Sequence, residues 1–191
     1  MNALHACKFY TGRSHLISSL LIQTEQALKD NLMLVYCTEE DYNDSIFSYY
    51  KKIIKLNSLK EDQKENDLMW ENFNSSVKRE TLGNSILINY YNNTNEITSY
   101  LNKLYKEACK NGFSGINFCI QMDQVYFMIG NDKLEVLEQN ITSAVKENLV
   151  SVTCFYDVYK SYKNDVINSV IDIHEYTAYC SNYYKIEEIY K

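Results

Sequence analysis

Apolar positions along the chain switch between two periods. Residues 4–10 (Leu-His-Ala-Cys-Lys-Phe-Tyr) form a short β-rich run that ends at the turn Thr11-Gly12. Beyond it, Leu16, Ile17, Leu20, Leu21, Ala27 and Leu28 recur at helical spacing, predicting a helix over 14–29 with Ser14 as its N-cap. Residues 32–37 are almost wholly apolar, as in a strand covered on both sides. The acidic break Thr38-Glu39-Glu40-Asp41 leads into a helix ending near residue 56, and 85–91 predicts a third strand. Ile97, Leu101, Leu104, Tyr105 and Ala108 mark a helix stopped by Asn111-Gly112. A strand over 115–121 follows, then an apolar run at 122–130 whose period is ambiguous. Leu134, Leu137, Ile141, Ala144 and Val145 mark another helix, 150–156 a strand, Val166, Val170 and Ile173 a last major helix, and 176–186 a β-rich tail. The polar stretch 57–82 reads as a helix or an insertion beside the sheet. Such alternation predicts one α/β domain over residues 1–191, three-layered, with a mainly parallel central sheet and helices on both faces.

Composition narrows the class. With 19 basic and 25 acidic residues the formal charge is −6, and 46% of the chain is hydrophobic, enough for a packed core. No apolar run reaches the length of a membrane span and no basic-then-apolar leader opens the chain, so the expectation is a soluble cytoplasmic protein without membrane contact. The acidic balance argues against direct nucleic-acid binding, which wants a basic face. Proline is absent, tyrosine (18) and asparagine (21) are abundant and arginine occurs twice, a bias that codon usage explains. Six cysteines at 7, 37, 109, 119, 154 and 180 form no C-x-x-C pair and read as reduced thiols, several of them inside strands.

In a parallel α/β sheet, ligands sit at the carboxyl ends of the strands, here the loops after Tyr10, Cys37, Tyr90, Gln121 and Tyr156. A phosphate cradle would need a pattern such as G-x-x-x-x-G-K-S/T after the first strand. Thr11-Gly12-Arg13-Ser14-His15 stands there instead, with one glycine and no lysine. Arg13 beside a helix N-terminus offers weak anion attraction. His5, Cys7, Cys154 and His174 are the residues suited to a soft metal or haem iron, although none has ligand spacing in sequence. The plainer readings are a hydrogen-bonded core histidine at 5, a helix-end histidine at 174 and small apolar cysteines. Glu39, Glu40, Asp41 and Asp157 could hold Mg²⁺ or polarise water, or simply start helices. No nucleophile–base constellation can be argued, and the expectation is a chain that is not an enzyme and requires no cofactor.

Several segments, taken in order, resemble the MEDS domain, the sensory domain of methanogen and methylotroph proteins and of the dichloromethane-responsive repressor. His5-Ala-Cys-Lys-Phe-Tyr10 is similar to that family's opening H-x-C-x-x-Y, and residues 32–40 to its second strand and acidic turn. Asn111-Gly112-Phe113-Ser114-Gly115-Ile116 resembles its G-F-x-G-L/I segment, with Asn117 where arginine often follows. Leu137-Glu138-Gln139-Asn140 matches loosely, Thr153-Cys154-Phe155-Tyr156-Asp157 resembles the C-x-Y-D strand end, and His174 with Asn182-Tyr183-Tyr184 resembles the closing region.

The resemblance implies a RecA/KaiC-like fold with a degenerate P-loop and a stand-alone sensory role in signal transduction or transcription control, exerted through a partner. The expected partner is a small organic ligand or a regulatory protein, with a homodimer also compatible. A ligand pocket is expected where His5, Tyr10, Glu39, Tyr156 and Asp157 converge, with Arg13 and His174 as further contacts. The alternatives are a residual nucleotide-binding ATPase-like protein and a metal or haem sensor.

Overall fold

The computed structural model describes residues 4–40, 42, 44, 46–48, 51–52, 71, 73–81, 86–147, 150–163, 166–174, 176–179 and 182–185. Among these residues, seven strands form one sheet: β1 (His5–Tyr10), β2 (Leu32–Thr38), β3 (Val77–Thr81), β4 (Gly115–Gln121), β5 (Val150–Asp157), β6 (Tyr176–Tyr179) and β7 (Asn182–Lys185). Their order is β3-β2-β4-β5-β1-β6-β7. Every neighbouring pair runs parallel except the terminal β6–β7 pair. The three-layer, mainly parallel architecture expected from the alternation is therefore present.

Helix α1 (Gly12–Lys29) covers one face. There Leu16, Leu20 and Ala27 pack with Leu34, Tyr36, Cys119 and Phe155, joined by Tyr42, Ile46 and Phe73. The other face carries α2 (Ile86–Asn89), α3 (Thr94–Lys110), α4 (Met122–Ile129), α5 (Asn131–Glu147) and α7 (Val166–Ile173), with α6 (Val158–Lys163) continuing directly from β5. Its core joins Leu101, Leu104, Leu137 and Ile141 to Phe9, Val35, Phe118 and Val152. With both faces covered, β1, β2 and β4 are buried at every position, which explains the near-continuous apolar run of β2 and leaves the polar residues of β1 and β4, His5, Lys8, Asn117 and Gln121, inside the protein.

Local chemistry sets the helix ends. The Asn93 side chain accepts the Glu96 N–H at the start of α3. At its end, Gly112 takes φ +90° and the Phe113 N–H returns to the Ala108 carbonyl, as the Asn111-Gly112 signal predicts. Gly130, at φ +84°, separates α4 from α5 and settles the ambiguous run at 122–130 as helix. Asn140 ties α5 to the start of α3, accepting from Thr94 Oγ1 at 2.6 Å and donating to the Tyr91 carbonyl at 2.8 Å. Asn117 is also structural: buried in β4, it donates to Gln23 Oε1 of α1 at 2.8 Å.

Two expectations are corrected. The strand expected over 85–91 is helical at Ile86–Asn89, and the third strand is Val77–Thr81. Ile86-Leu87-Ile88 is too short to fix a period, whereas β3 occupies a sheet edge that tolerates charge. There Lys78 reaches Glu107 at 2.7 Å and Glu80 at 3.3 Å. The second correction concerns Ser14, which is not an N-cap. The helix begins at Gly12, with Thr11 in the cap position and no side-chain cap bond. Most of the helix expected to end near 56, and residues 57–70, lie outside the described residues; 73–76 are helical.

Leu104 is 2% exposed, so Leu104→Ala should cost about 2–5 kcal/mol, while Ile22→Ala at a 38%-exposed position should stay within about 0.5 kcal/mol, both read from urea midpoints. Cys7, Cys37, Cys119 and Cys154 are buried thiols outside any disulfide, and Cys109 is exposed. Burial pushes the Cys119 thiol up to about 12. Among these five, peptide mapping after brief alkylation of the native protein at pH 8 should find label at Cys109 alone, the other four reacting only on unfolding.

Candidate functional site

The residues singled out in the sequence separate into two groups. His5 and Tyr10 stand at opposite ends of β1, about 16 Å apart along the strand at ~3.3 Å per residue. One group gathers at the carboxyl edge of the sheet, the other beneath α5.

At the carboxyl edge, the Tyr10 hydroxyl donates to Asp123 Oδ1 at 2.7 Å and accepts from Gln121 Nε2 at 2.9 Å. Gln121 Oε1 in turn accepts the Glu39 N–H at 3.1 Å, so Glu39 contributes its backbone to this network. Asp123 is 2% exposed and meets the Lys160 ammonium at 3.0 Å. Burial, and then the Asp123 charge, hold the Tyr10 hydroxyl well above the usual phenol range. Asp157 accepts the N–H groups of Tyr159 and Lys160 through Oδ1, the geometry of a helix cap for α6. Arg13 lies 3.2 Å from Glu40 and over the Tyr42 ring, with both charged partners more than half exposed. Such a surface pair adds little stability.

The β1–α1 junction is short. Thr11 is the single residue between strand and helix, and its N–H donates to His15 Nδ1 at 3.1 Å. A backbone donor that a triphosphate would need is already engaged.

The second group is interior. His5 (β1), Cys154 (β5), Glu138 (α5) and His174, just after α7, are all buried, and one donor atom from each lies within 4.8 Å of all the others. His5 Nε2 is 3.0 Å from Glu138 Oε2 and 3.4 Å from Cys154 Sγ. His174 Nε2 is 3.3 Å from the same Oε2, and the Cys154 thiol donates to it at 3.5 Å. The Tyr156 hydroxyl donates to the other oxygen, Glu138 Oε1. The two imidazoles lie with centroids 4.2 Å apart and their planes tilted by 44°.

Burial opposes ionisation of Glu138, but the charge and hydrogen bonding of His174 and His5 outweigh it and hold the carboxyl well below its ordinary range. Burial likewise lowers the His174 pKa, and Glu138 more than reverses that. Cys154 and Tyr156 are pushed up, first by burial and then by the Glu138 charge, so both keep their protons. Cys7 pairs with Cys154 in register and shares the apolar core on this face, but it is outside the converging set.

Three of the four converging residues are sequence candidates; Glu138 is the one that sequence reasoning misses as a site residue. Its signal is present all the same. Position 138 is four residues after Leu134 and three before Ile141, so a charge falls on the buried face of its helix. Asp123 is missed as well, its position directly after a strand being the available clue.

No protein-family model matches the sequence, and no curated protein is similar to it. Solved structures are similar in fold. One of them, the ATPase domain of another protein, aligns with a TM-score of 0.59 and 8% identity, over 93% of this chain and 69% of that one. The uncharacterized protein PH0321 from Pyrococcus horikoshii, solved with an unknown peptide, aligns with a TM-score of 0.58 and 10% identity, over 94% and 78%. At such identities the likeness is one of fold, and the fold of this chain is RecA-like, a three-layer α/β arrangement around a parallel sheet. No described helix is long and apolar enough to cross a membrane.

Proposed function

We propose that this chain is a regulatory, sensory domain on a RecA-like scaffold, responding to a bound chemical signal and acting through a partner rather than hydrolysing nucleotide. One observation carries the reading: the β1–α1 connection is a single residue whose N–H is committed to His15. A phosphate cradle needs several free N–H groups along a glycine-rich loop and a lysine for charge. Segment 11–15 supplies one glycine and no lysine. The MEDS-like segments support the sensory half of the proposal, and four of them, containing His5, Glu138, Cys154 and His174, supply the members of the interior cluster.

A second reading, residual nucleotide binding, draws on a different observation. A structural neighbour is an ATPase domain, and Lys160, Asp123 and Asp157 lie at the carboxyl edge where ligands of such sheets sit. The two readings separate in one assay. Calorimetric titration with Mg-ATP at up to about 1 mM should give no saturable heat, and phosphate release should equal the buffer blank. Saturable binding with turnover that disappears in Lys160→Ala would establish the second reading instead.

A further inference from the structure

We propose that His5, Glu138, Cys154 and His174 form a closed four-ligand site for a borderline-soft divalent cation of the zinc class. The inference names the input of the sensory reading above and in that sense rests on it, but its test does not.

Geometry comes first. Zinc bonds to nitrogen, oxygen and sulfur span about 2.0–2.3 Å, so a tetrahedron of such ligands has edges of about 3.3–3.8 Å. Four of the six pairwise separations in the cluster are 3.0, 3.3, 3.4 and 3.5 Å, and all six are within 4.8 Å. The donors come from β1, β5, α5 and the segment after α7, so the ion would clamp sheet to helices at one point.

The proton pattern then fixes which nitrogens face inward. The Val170 carbonyl, an acceptor only, lies 2.7 Å from His174 Nδ1, so Nδ1 carries the hydrogen. Thr142 donates its hydroxyl hydrogen to the Glu138 carbonyl at 3.0 Å, so toward His5 Nδ1, at 2.8 Å, its oxygen acts as acceptor. With Nδ1 of each ring engaged by an outer acceptor, both rings turn Nε2 toward Glu138 Oε2. Such outer bonds commonly orient metal-bound histidines. His174 Nε2, on a wholly buried side chain, lies 3.3 Å from Glu138 Oε2. Two imidazole nitrogens and a carboxylate oxygen converging inside a protein call for positive charge among them. Protons on the imidazoles fill that role without a metal. A divalent ion fills it in their place: its two charges balance the Glu138 carboxylate and a Cys154 thiolate, the displaced thiol and imidazole protons passing to solvent. Tyr156 occupies Oε1 and leaves Oε2 for the ion.

All four positions being protein atoms, the site has no vacancy for substrate and suits a structural or signalling ion rather than a catalytic one. His174 also lies two residues before β6, which pairs with β1. Occupancy would thus tie the terminal strand pair to the rest of the sheet.

The test uses the full chain, produced without a histidine tag, stripped with chelator and titrated with Zn²⁺ or Co²⁺. Expected are one equivalent of zinc per chain, a zinc-dependent rise in Tm, and a cobalt spectrum with intense tetrahedral d–d bands and a thiolate charge-transfer band. Cys154→Ser should abolish the charge-transfer band, and Cys7→Ser should preserve it. Thr142→Val, which removes only the support of His5, should weaken binding by about 10–100-fold. Should Cys154→Ser fail to fold, the wild-type stoichiometry and the Cys7→Ser spectrum still decide. A folded wild-type protein that binds no zinc at 50-fold excess, or a charge-transfer band lost in Cys7→Ser, overturns the site while leaving the non-hydrolytic reading intact. ATP turnover by the zinc-loaded protein would overturn that reading and leave the site standing.

Discussion

A carboxylate with no solvent exposure organises this molecule. An ionised, unpaired Glu138 would cost several kcal/mol in the interior, so the fold is consistent only where cationic or hydrogen-bonding groups meet it. Those groups come from elements far apart in sequence: His5 opens β1, Tyr156 and Cys154 belong to β5, and His174 follows α7. The same compensation that makes the carboxylate tolerable therefore fixes how α5 and α7 sit on the centre of the sheet. Apolar packing of Leu137 and Ile141 supplies most of the adhesion, and the polar cluster supplies its register.

Strand β1 links the interior cluster to the edge of the sheet. Its first residue enters the buried cluster, and its last, Tyr10, joins the Gln121–Asp123–Lys160 network at the carboxyl edge of the sheet. With Thr11 alone between strand and helix, the edge is closed by protein groups. A scaffold whose neighbours include an ATPase domain thus places its most constrained polar chemistry under a helix instead of at the strand ends.

Much of this is legible in the sequence. The runs at 32–37 and 115–121 read as buried strands because both faces are covered, and Gly112 marks its helix end by its left-handed backbone. The third strand is not legible, because an edge strand such as Val-Lys-Arg-Glu-Thr carries no apolar period, while Ile86-Leu87-Ile88 imitates one. In the site, His5, Cys154 and His174 stand out as soft ligands, but their meeting depends on strand pairing and helix docking that local pattern does not encode. Glu138 is hidden by its type, since a glutamate in a helix normally faces water. Tyr10 and Asp157, expected beside His5, lie at the carboxyl edge because a strand separates its two ends by its own length.

The most direct test of how the interior charge is compensated is anomalous diffraction at the zinc edge from crystals grown with zinc. The account predicts a single peak about 2.0–2.3 Å from His5 Nε2, His174 Nε2, Cys154 Sγ and Glu138 Oε2. A map with no peak there, the carboxylate being balanced by imidazolium protons alone, would contradict it.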